Sequence, residues 1–210
     1  MYIIRRASDR DAFLKAPDLY PSVRIETCPW GGEYRPETFF SAAHSDTAIY
    51  VRMRTNEKDP RVVTTERNGP VWCDSAMEFF IAPGCDVSEG YFNCEMNAYP
   101  ALLCHFGIDT DDEHRHPVDW PLEDFQLECI RYVEDNRPWW ELHLTVPYAL
   151  LSKHVPSFDP KPGTVIHGNA YKCGDDCEIP HFITLFPIDP AVVREPAFHV
   201  PAYFGELVLE

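Results

Sequence analysis

Two neighbouring stretches of alternating residues restrict what this chain can fold into more than any other feature of the sequence. They lie in the segment VWCDSAMEFFIAPGCDVSEGYFNCEMNAYP, residues 71–100. In residues 76–81, and again in residues 91–97, one side of an extended chain is entirely apolar, which is the period-two pattern of a β-strand. The pattern predicts a hairpin of two short strands joined by a loop of about eight residues.

The other side of this predicted hairpin carries polar residues. If the two apolar sides lie together, Glu78 lies opposite or diagonal to Glu95 or Asn97. Trp72 precedes the first strand, and a flat aromatic ring beside hydrogen-bonding groups suits a sugar, which has an apolar C–H face and a rim of hydroxyls. Six residues of straight strand span about 20 Å. Stacking on the same sugar therefore requires Trp72 to lie in a turn, for which the Gly69-Pro70 pair provides the chemistry.

The composition of the whole chain is typical of an all-β protein. We expect a single domain, residues 1–210. Twenty prolines against ten glycines indicate many ordered turns and few long helices. Many short strands with turns between them predict an antiparallel β-sandwich, jelly-roll or immunoglobulin-like, with short peripheral helices. Further strands are predicted at 49–53, 125–133, 139–146, 165–171 and 203–209, and helices at 9–15 and 148–152.

Charge and composition exclude several classes of partner. The formal net charge of −16 would repel a phosphate backbone or an anionic membrane, so neither nucleic acid nor membrane is expected as a partner. No segment approaches the roughly 18 apolar residues of a membrane span. The first residues lack the apolar stretch of a signal peptide, so a cytoplasmic location and mainly reduced cysteines are expected. Nothing in the sequence sets the oligomeric state.

The same segments resemble a known family. The blocks that carry the resemblance, in chain order, are VWCDSAMEFFIAP, EMN, ELHLTVPYALL, GNAYKCGDD, PHF and FHVPAYFGELVLE. From about Asp46 to Glu210 they resemble the family 9 carbohydrate-binding modules, and most closely the stand-alone family 9-like branch of the DOMON-like β-sandwiches. The resemblance implies non-catalytic binding of sugar-chain ends, related to xylan or glucan, between aromatic side chains and polar residues.

Individual positions of the family pattern can be carried over. Trp72 matches the tryptophan before the Asp-Ser-x-x-Glu strand, Glu78 its acid, and Asn97 the asparagine that closes the next strand. Lys172 stands where a basic residue often follows Asn-x-Tyr. Where similar sequences often have a second tryptophan, this chain reads PHFITLFPI, so the second aromatic wall is either missing or formed by Phe186.

The resemblance and the residues together give a set of ligand-binding residues and a statement on cofactors. The predicted set is Trp72, Glu78, Glu95, Asn97, Lys172 and Phe186. No cofactor is required by the sequence. Some members of the family carry structural calcium, although the loop after Pro83 offers only Asp86 and Glu89 as carboxylates.

Other readings of the same residues stay open from the sequence alone. Glu78 and Glu95 could be the acid/base pair of a small glycoside hydrolase, and the domain could instead serve protein interaction after losing sugar binding. Glu78 could pair with Arg52 or Arg54 of a neighbouring strand.

Two of the predicted ligand-binding residues could instead have a purely structural role. Asn97 could brace the turn that follows it, and Lys172 could be a solvated charge. A zinc site of Cys173 and Cys177 with nearby histidines is a minor alternative, because its spacing is loose.

Overall fold

The chain folds almost wholly into β-strands in this computed structural model, which describes residues 1–111 and 113–210. Within that part of the chain there are thirteen strands and two short α-helices. The strands are β1 Tyr2–Arg6, β2 Ser22–Ile25, β3 Thr38–His44, β4 Ala48–Thr55, β5 Ala76–Ala82, β6 Tyr91–Asn97, β7 Leu102–Gly107, β8 Arg115–Pro117, β9 Glu128–Glu134, β10 Arg137–Pro147, β11 Val165–Gly174, β12 His181–Thr184 and β13 Gly205–Leu209; the helices are α1 Arg10–Lys15 and α2 Tyr148–His154. The predicted all-β class is confirmed.

Two sheets share strand β1. The first sheet has the order β8-β7-β6-β5-β11-β13-β1, and the second continues as β1-β3-β4-β10-β9. β12 and β13 pair with successive parts of one edge of β11, and β1 and β2 do the same on β3. β1 pairs parallel with both of its neighbours, whereas the other pairings between strands are antiparallel. Crossing from one sheet to the other through a single strand joins the two layers at that edge.

The main core fills the space between the sheets. Phe40 of the second sheet stacks on Phe79 of the first, with ring centroids 5.5 Å apart. The predicted apolar side of the hairpin, with Met77 and Phe92 among its members, lies in this core and is fully buried. We call this side the inner face of the first sheet.

The opposite side of the first sheet, its outer face, is also covered. Phe80 and Tyr171 lie on this face and pack against Phe198 and Phe204, which belong to the segment 185–204 between β12 and β13. Every residue of β5 and β6 is therefore buried. The alternation alone predicts a half-exposed hairpin, because it does not show that a distant loop returns over the polar side.

The hairpin predicted within residues 71–100 forms with a defined register, and the predicted strands 125–133 and 139–146 form a second hairpin. In the first, Glu78 pairs with Glu95 and the loop 83–90 has eight residues, as predicted. The turn between β9 and β10 is shorter than predicted, because Asp135 and Asn136 alone make it, with φ of +50° and +58°. Two consecutive residues with positive φ give the twist that a two-residue hairpin needs, and Asp and Asn tolerate that conformation.

The helices are short, as expected. α1 begins after Asp9, whose side chain accepts a hydrogen bond from the Ala12 N–H, the usual role of aspartate at an N-cap. Among the described residues, no helix is long and apolar enough to span a membrane.

Candidate functional site

A cleft of about 740 Å³ opens on the outer face of the first sheet. This volume lies within the usual range for small-molecule sites. Strands β5, β6 and β7 supply its floor, the turn before β5 supplies one wall, and the segment 196–200 covers it from the opposite side. The lining residues are Trp72, Glu78, Asn93, Glu95, Leu103, His105, Thr110, Arg115, Cys173, Asp175, Phe182, Pro196, Ala197, Phe198, His199 and Val200.

Trp72 is the most exposed of the large aromatic side chains in this lining. The residue belongs to a 3₁₀ turn, Val71–Cys73, and is 42% exposed. The turn is held by the Val71 N–H, which donates to the Gly69 carbonyl at 2.7 Å, and by the Trp72 carbonyl, which accepts from the Asp175 N–H at 3.3 Å. The structure thus places Trp72 in a turn next to Glu78, which is the arrangement that stacking on a shared sugar requires.

Two carboxyl groups lie side by side on the floor. Glu78 and Glu95 are register partners on β5 and β6, and both are nearly fully buried. Burial, and then the charge of Glu95, raise the pKa of Glu78 well above its usual range, and its Oε1 accepts a hydrogen bond from the Cys173 thiol at 2.9 Å. Burial raises the pKa of Glu95 to about 7, against the opposing effect of a hydrogen bond from Asn93. The floor therefore holds protons near neutral pH.

The alternative ion pair of Glu78 with an arginine is wrong. Arg52 and Arg54 lie on the second sheet, where they pair with Glu141 at 3.4 Å and Glu134 at 3.1 Å. These arginines and Glu78 belong to different sheets. The sequence could not show this, because strand order in space does not follow strand order in the chain.

Three buried polar atoms of the floor have no hydrogen-bond partner among the described residues. They are Asn93 Oδ1, Glu95 Oε2 and His105 Nε2. Asn93 and His105 are register partners on β6 and β7, and Glu95 lies two residues further along β6 on the same face. A buried polar group without a partner costs about 1–3 kcal/mol. The three atoms face one cleft, where they can form hydrogen bonds with a molecule that enters it.

The Asn93 amide group is itself well placed. Its Nδ2 donates to Glu95 Oε1 at 2.9 Å, which leaves Asn93 Oδ1 and Glu95 Oε2 as two adjacent free acceptors. Asn93 is 2% exposed and Glu95 is 3% exposed. Such a pair can accept from two neighbouring hydroxyl groups.

Two histidines and an arginine also line the cleft, and their charge states affect the electrostatic potential within it. His199 Nδ1 lies 3.0 Å from the Tyr91 hydroxyl, and burial, followed by the charge of Arg115, lowers the pKa of His199 to about 3. Burial also lowers the pKa of His105. Arg115 contacts the Tyr91 hydroxyl at 3.2 Å and lowers the pKa of Glu95 from across the cleft. Both histidines are therefore neutral at pH 7, and Arg115 is the cation of this group.

Asn97 does not line the cleft. Its Nδ2 donates to the Thr64 carbonyl at 2.8 Å and to Asp74 at 2.9 Å, while its Oδ1 accepts from the Tyr99 and Ala101 N–H groups. All its hydrogen-bonding capacity is used within the protein. Its predicted role as a ligand residue is replaced by the alternative, which is to brace the turn between β6 and β7.

Lys172 also lies away from the cleft. It pairs in register with Met77, so its side chain points to the inner face, where it is fully buried. Its Nζ lies 3.0 Å from Glu57 Oε2 and 2.8 Å from His181 Nε2. Burial, and then the charge of Lys172, lower the pKa of His181 to about 4, so that histidine can accept from the lysine. Lys172 is neither a ligand residue nor a solvated charge.

Phe186 is not the second aromatic wall. Its backbone N–H and carbonyl are bound by the Asn169 amide, and its ring lies against Gly205, outside the cleft. Phe182 and Phe198 are the phenylalanines that line the cleft. Phe198 is fixed by parallel stacking on Tyr171, with ring centroids 4.1 Å apart and 7° between the planes.

No metal centre is formed by the described side chains. Among them there is no group of three or more His, Cys, Asp or Glu residues placed to bind a metal ion. In the loop after Pro83, Asp86 caps the Ser88 N–H and Glu89 accepts from the Asp86 N–H and from Ser157. Both carboxylates are already engaged, Asp86 within the loop and Glu89 with the loop and Ser157, so the loop does not fit a calcium site.

Several lining residues were not identified from the sequence. Asn93 belongs to the polar side of the predicted hairpin, so its position on the floor could have been found by the same alternation. His105, Arg115, Phe182 and Phe198 carry no such signal, because they reach the cleft through pairings and a covering loop that only the fold defines.

Comparison with known proteins agrees with this architecture. Residues 16–209 match the family described as carbohydrate-binding family 9. A crystal structure of a Bacteroides uniformis protein, to which carbohydrate binding has been ascribed, has a TM-score of 0.81 and 28% identity, covering 100% of this chain and 98% of that one. No curated protein matches the chain by sequence.

Two further structures share the fold at low identity. Both are of a family 9 carbohydrate-binding module from Caldicellulosiruptor kristjanssonii, one in complex with glucose and the other with cellotriose. The TM-scores are 0.61 and 0.60 at 12% and 11% identity, covering 99% and 100% of this chain and 94% and 93% of those chains.

Proposed function

Because the chain belongs to carbohydrate-binding family 9, we propose that the cleft on the outer face of the first sheet binds a mono- or oligosaccharide without altering it chemically. The observation that carries the proposal is the convergence of Asn93 Oδ1, Glu95 Oε2 and His105 Nε2, which are buried and have no partner in the described part of the chain. Sugar hydroxyls both donate and accept, so one sugar ring can satisfy several of these atoms at once.

The carboxyl groups suit adjacent hydroxyls. Glu95, when ionised, accepts hydrogen bonds that are stronger than those between neutral groups. Burial raises the pKa of Glu78 well above its usual range, so this carboxyl group keeps a proton and can donate. The floor therefore offers donors and acceptors in alternation, which matches the rim of a sugar ring.

The aromatic side chains supply the apolar part of the site. Trp72 is exposed at the wall of the cleft and would stack on the C–H face of the sugar, with Phe182 or Phe198 on the far side. The neighbours bound to glucose and cellotriose support gluco-configured sugars as the first ligands to test. If the site takes a chain end, as the family resemblance implies, long polymers should bind no better than short oligomers.

Calorimetric titration with glucose, cellotriose, xylose and mannose tests the proposal. We expect one of these sugars to bind, and Trp72→Ala and Asn93→Ala each to weaken binding tenfold or more, which corresponds to about 1.4 kcal/mol. Tyr99→Ala is the matched control, because Tyr99 is 56% exposed and lies outside the cleft. Binding that survives both cleft substitutions unchanged would place the site elsewhere, and an absence of binding across a broad panel would favour a protein-interaction domain.

A further inference from the structure

Two cysteines face each other directly behind the floor of the cleft. Cys94 and Cys104 are register partners on β6 and β7, both are fully buried, and their sulfur atoms lie 3.5 Å apart. They point to the inner face, while their chain neighbours Asn93, Glu95 and His105 point into the cleft. The pair thus lies in the same two strands that carry the unpartnered polar atoms.

The backbone geometry at this pair suits a disulfide bond. The Asn97 N–H donates to the Ala101 carbonyl, so those two residues form a hydrogen-bonded pair. Pairs alternate along an antiparallel ladder, which makes Cys94 and Cys104, three pairs further on, a non-hydrogen-bonded pair.

The bonds of Cys104 agree with this register. Its N–H donates to Asn68 Oδ1 at 3.0 Å and its carbonyl accepts from Val118, so neither group is directed to β6. Cα atoms in a non-hydrogen-bonded pair are about 4.5 Å apart, which is within the disulfide range of about 4.4–6.8 Å. Closing the sulfur–sulfur distance then needs side-chain rotation only.

Two other cysteines near the cleft have partners of a different kind. Cys173 donates to Glu78, and Cys177 lies 3.4 Å from the Ser75 hydroxyl. We propose that Cys94 and Cys104 are a disulfide site that joins β6 to β7 beneath the cleft when the chain meets a small-molecule disulfide such as oxidised glutathione.

The reaction balances with that oxidant alone. One cysteine thiolate attacks oxidised glutathione and releases one glutathione thiolate, which gives a mixed disulfide. The second cysteine thiolate attacks the protein sulfur of the mixed disulfide and releases the second glutathione. Two protein thiols are oxidised, one glutathione disulfide is reduced to two thiols, and the two protons pass to the released glutathione molecules.

The disulfide can form only when the oxidant reaches the sulfur atoms of Cys94 and Cys104. The hydrogen bond that the Cys104 thiol donates to Cys94, followed by burial, raises the pKa of Cys104, so the thiolate is scarce in the closed fold. The reaction therefore belongs to folding, or to opening of the sheet edge at β7 and the three-residue strand β8. Once formed, the bond closes a loop of about ten residues and constrains the unfolded chain. We expect it to raise the melting temperature by about 5–10 °C.

The methionines allow a direct test. Met77 and Met96 are the last two methionines of the sequence, so cyanogen bromide separates fragment 78–96, with Cys94, from fragment 97–210, with Cys104. The reduced protein is refolded with oxidised and reduced glutathione, its remaining thiols are alkylated, and the chain is cleaved without reductant. We expect the two fragments to stay joined and to separate on reduction.

Two variants assign the bond. Cys85 also lies in fragment 78–96 and is exposed, so Cys85→Ala must leave the fragments joined. Cys104→Ala must separate them. The proposal is overturned if the wild-type fragments separate after complete equilibration with the oxidant, or if they stay joined in Cys104→Ala. The wild-type result does not depend on the folding of either variant.

Discussion

Replacing Glu95 with glutamine should remove a large part of the pH dependence of this protein's stability. Glu95 is nearly fully buried beside a second carboxyl group, and burial raises its pKa to about 7 from the ordinary 4.5. The folded chain therefore holds the Glu95 proton more tightly than the unfolded chain does. The stability that comes from this proton is fully present below about pH 4.5 and is lost as the pH rises through 7.

The size of the effect follows from the two pKa values. At about 1.4 kcal/mol per pH unit, the difference between 7 and 4.5 corresponds to about 3 kcal/mol. Glutamine has no titrating proton, so the free energy of unfolding of Glu95→Gln should fall less than that of the wild type as the pH rises from 4.5 to 8. Removing the charge of Glu95 also removes its repulsion of Glu78, which further reduces the loss of stability at high pH.

Urea unfolding across pH 4.5–8 measures this contribution. With a denaturant slope of about 2–3 kcal/mol per molar for a chain of this size, the difference in unfolding midpoint between Glu95→Gln and wild type should grow by about 1–1.5 M. Glu206→Gln is the matched control, because Glu206 lies on strand β13 and is exposed; its curve should run parallel to that of the wild type. If Glu95→Gln also runs parallel to the wild type, the buried carboxyl does not ionise in the way the structure requires.

Three further predictions separate binding from stability and from catalysis. Asn97→Ala should lower the free energy of unfolding by about 3 kcal/mol, because four internal hydrogen bonds are lost. Asn93→Ala on the same strand should change mainly the affinity for sugar. Urea unfolding and calorimetry distinguish the two effects, and an equal loss of stability in both variants would contradict this prediction. Lys172→Ala should destabilise by about 3–5 kcal/mol, because it leaves a buried carboxylate unpaired; a change below about 0.5 kcal/mol in chemical unfolding would instead indicate a solvated charge. No chromophore should be released from aryl glycosides, and turnover that disappears in both Glu78→Gln and Glu95→Gln would establish a hydrolase.

The hairpin of β5 and β6 could be predicted because its signal is local. Alternation sets the strands, and matching the apolar sides limits the neighbours of Glu78 to Glu95 and Asn97. The structure then shows Glu95 as its register partner. The same reasoning places Trp72 in a turn, since a straight strand would carry it too far away. Each of these inferences uses residues within about 25 positions of each other.

Lys172 and Phe186 could not be placed in the same way. The side of the sheet on which Lys172 lies depends on the pairing of β11 with β5, about ninety residues earlier in the chain. Its partners Glu57 and His181 come from two further segments. A lysine on a strand is usually solvated, and only the assembled fold shows this lysine as the centre of a buried ion pair.

The buried polar groups of this protein differ in whether their partners are inside the fold. Asp74 accepts from the Val63 and Thr64 N–H groups and from Asn97, so its burial is compensated by structure alone. On the floor of the cleft, Asn93 and Glu95 are equally buried, yet each keeps one acceptor without a donor.

Selection for stability alone would replace such groups or pair them, since each costs free energy. Three such atoms lie together where a cleft and an exposed tryptophan provide room and a stacking surface. Asn93 Oδ1, Glu95 Oε2 and His105 Nε2 are therefore the atoms that a sugar in the proposed site would complete.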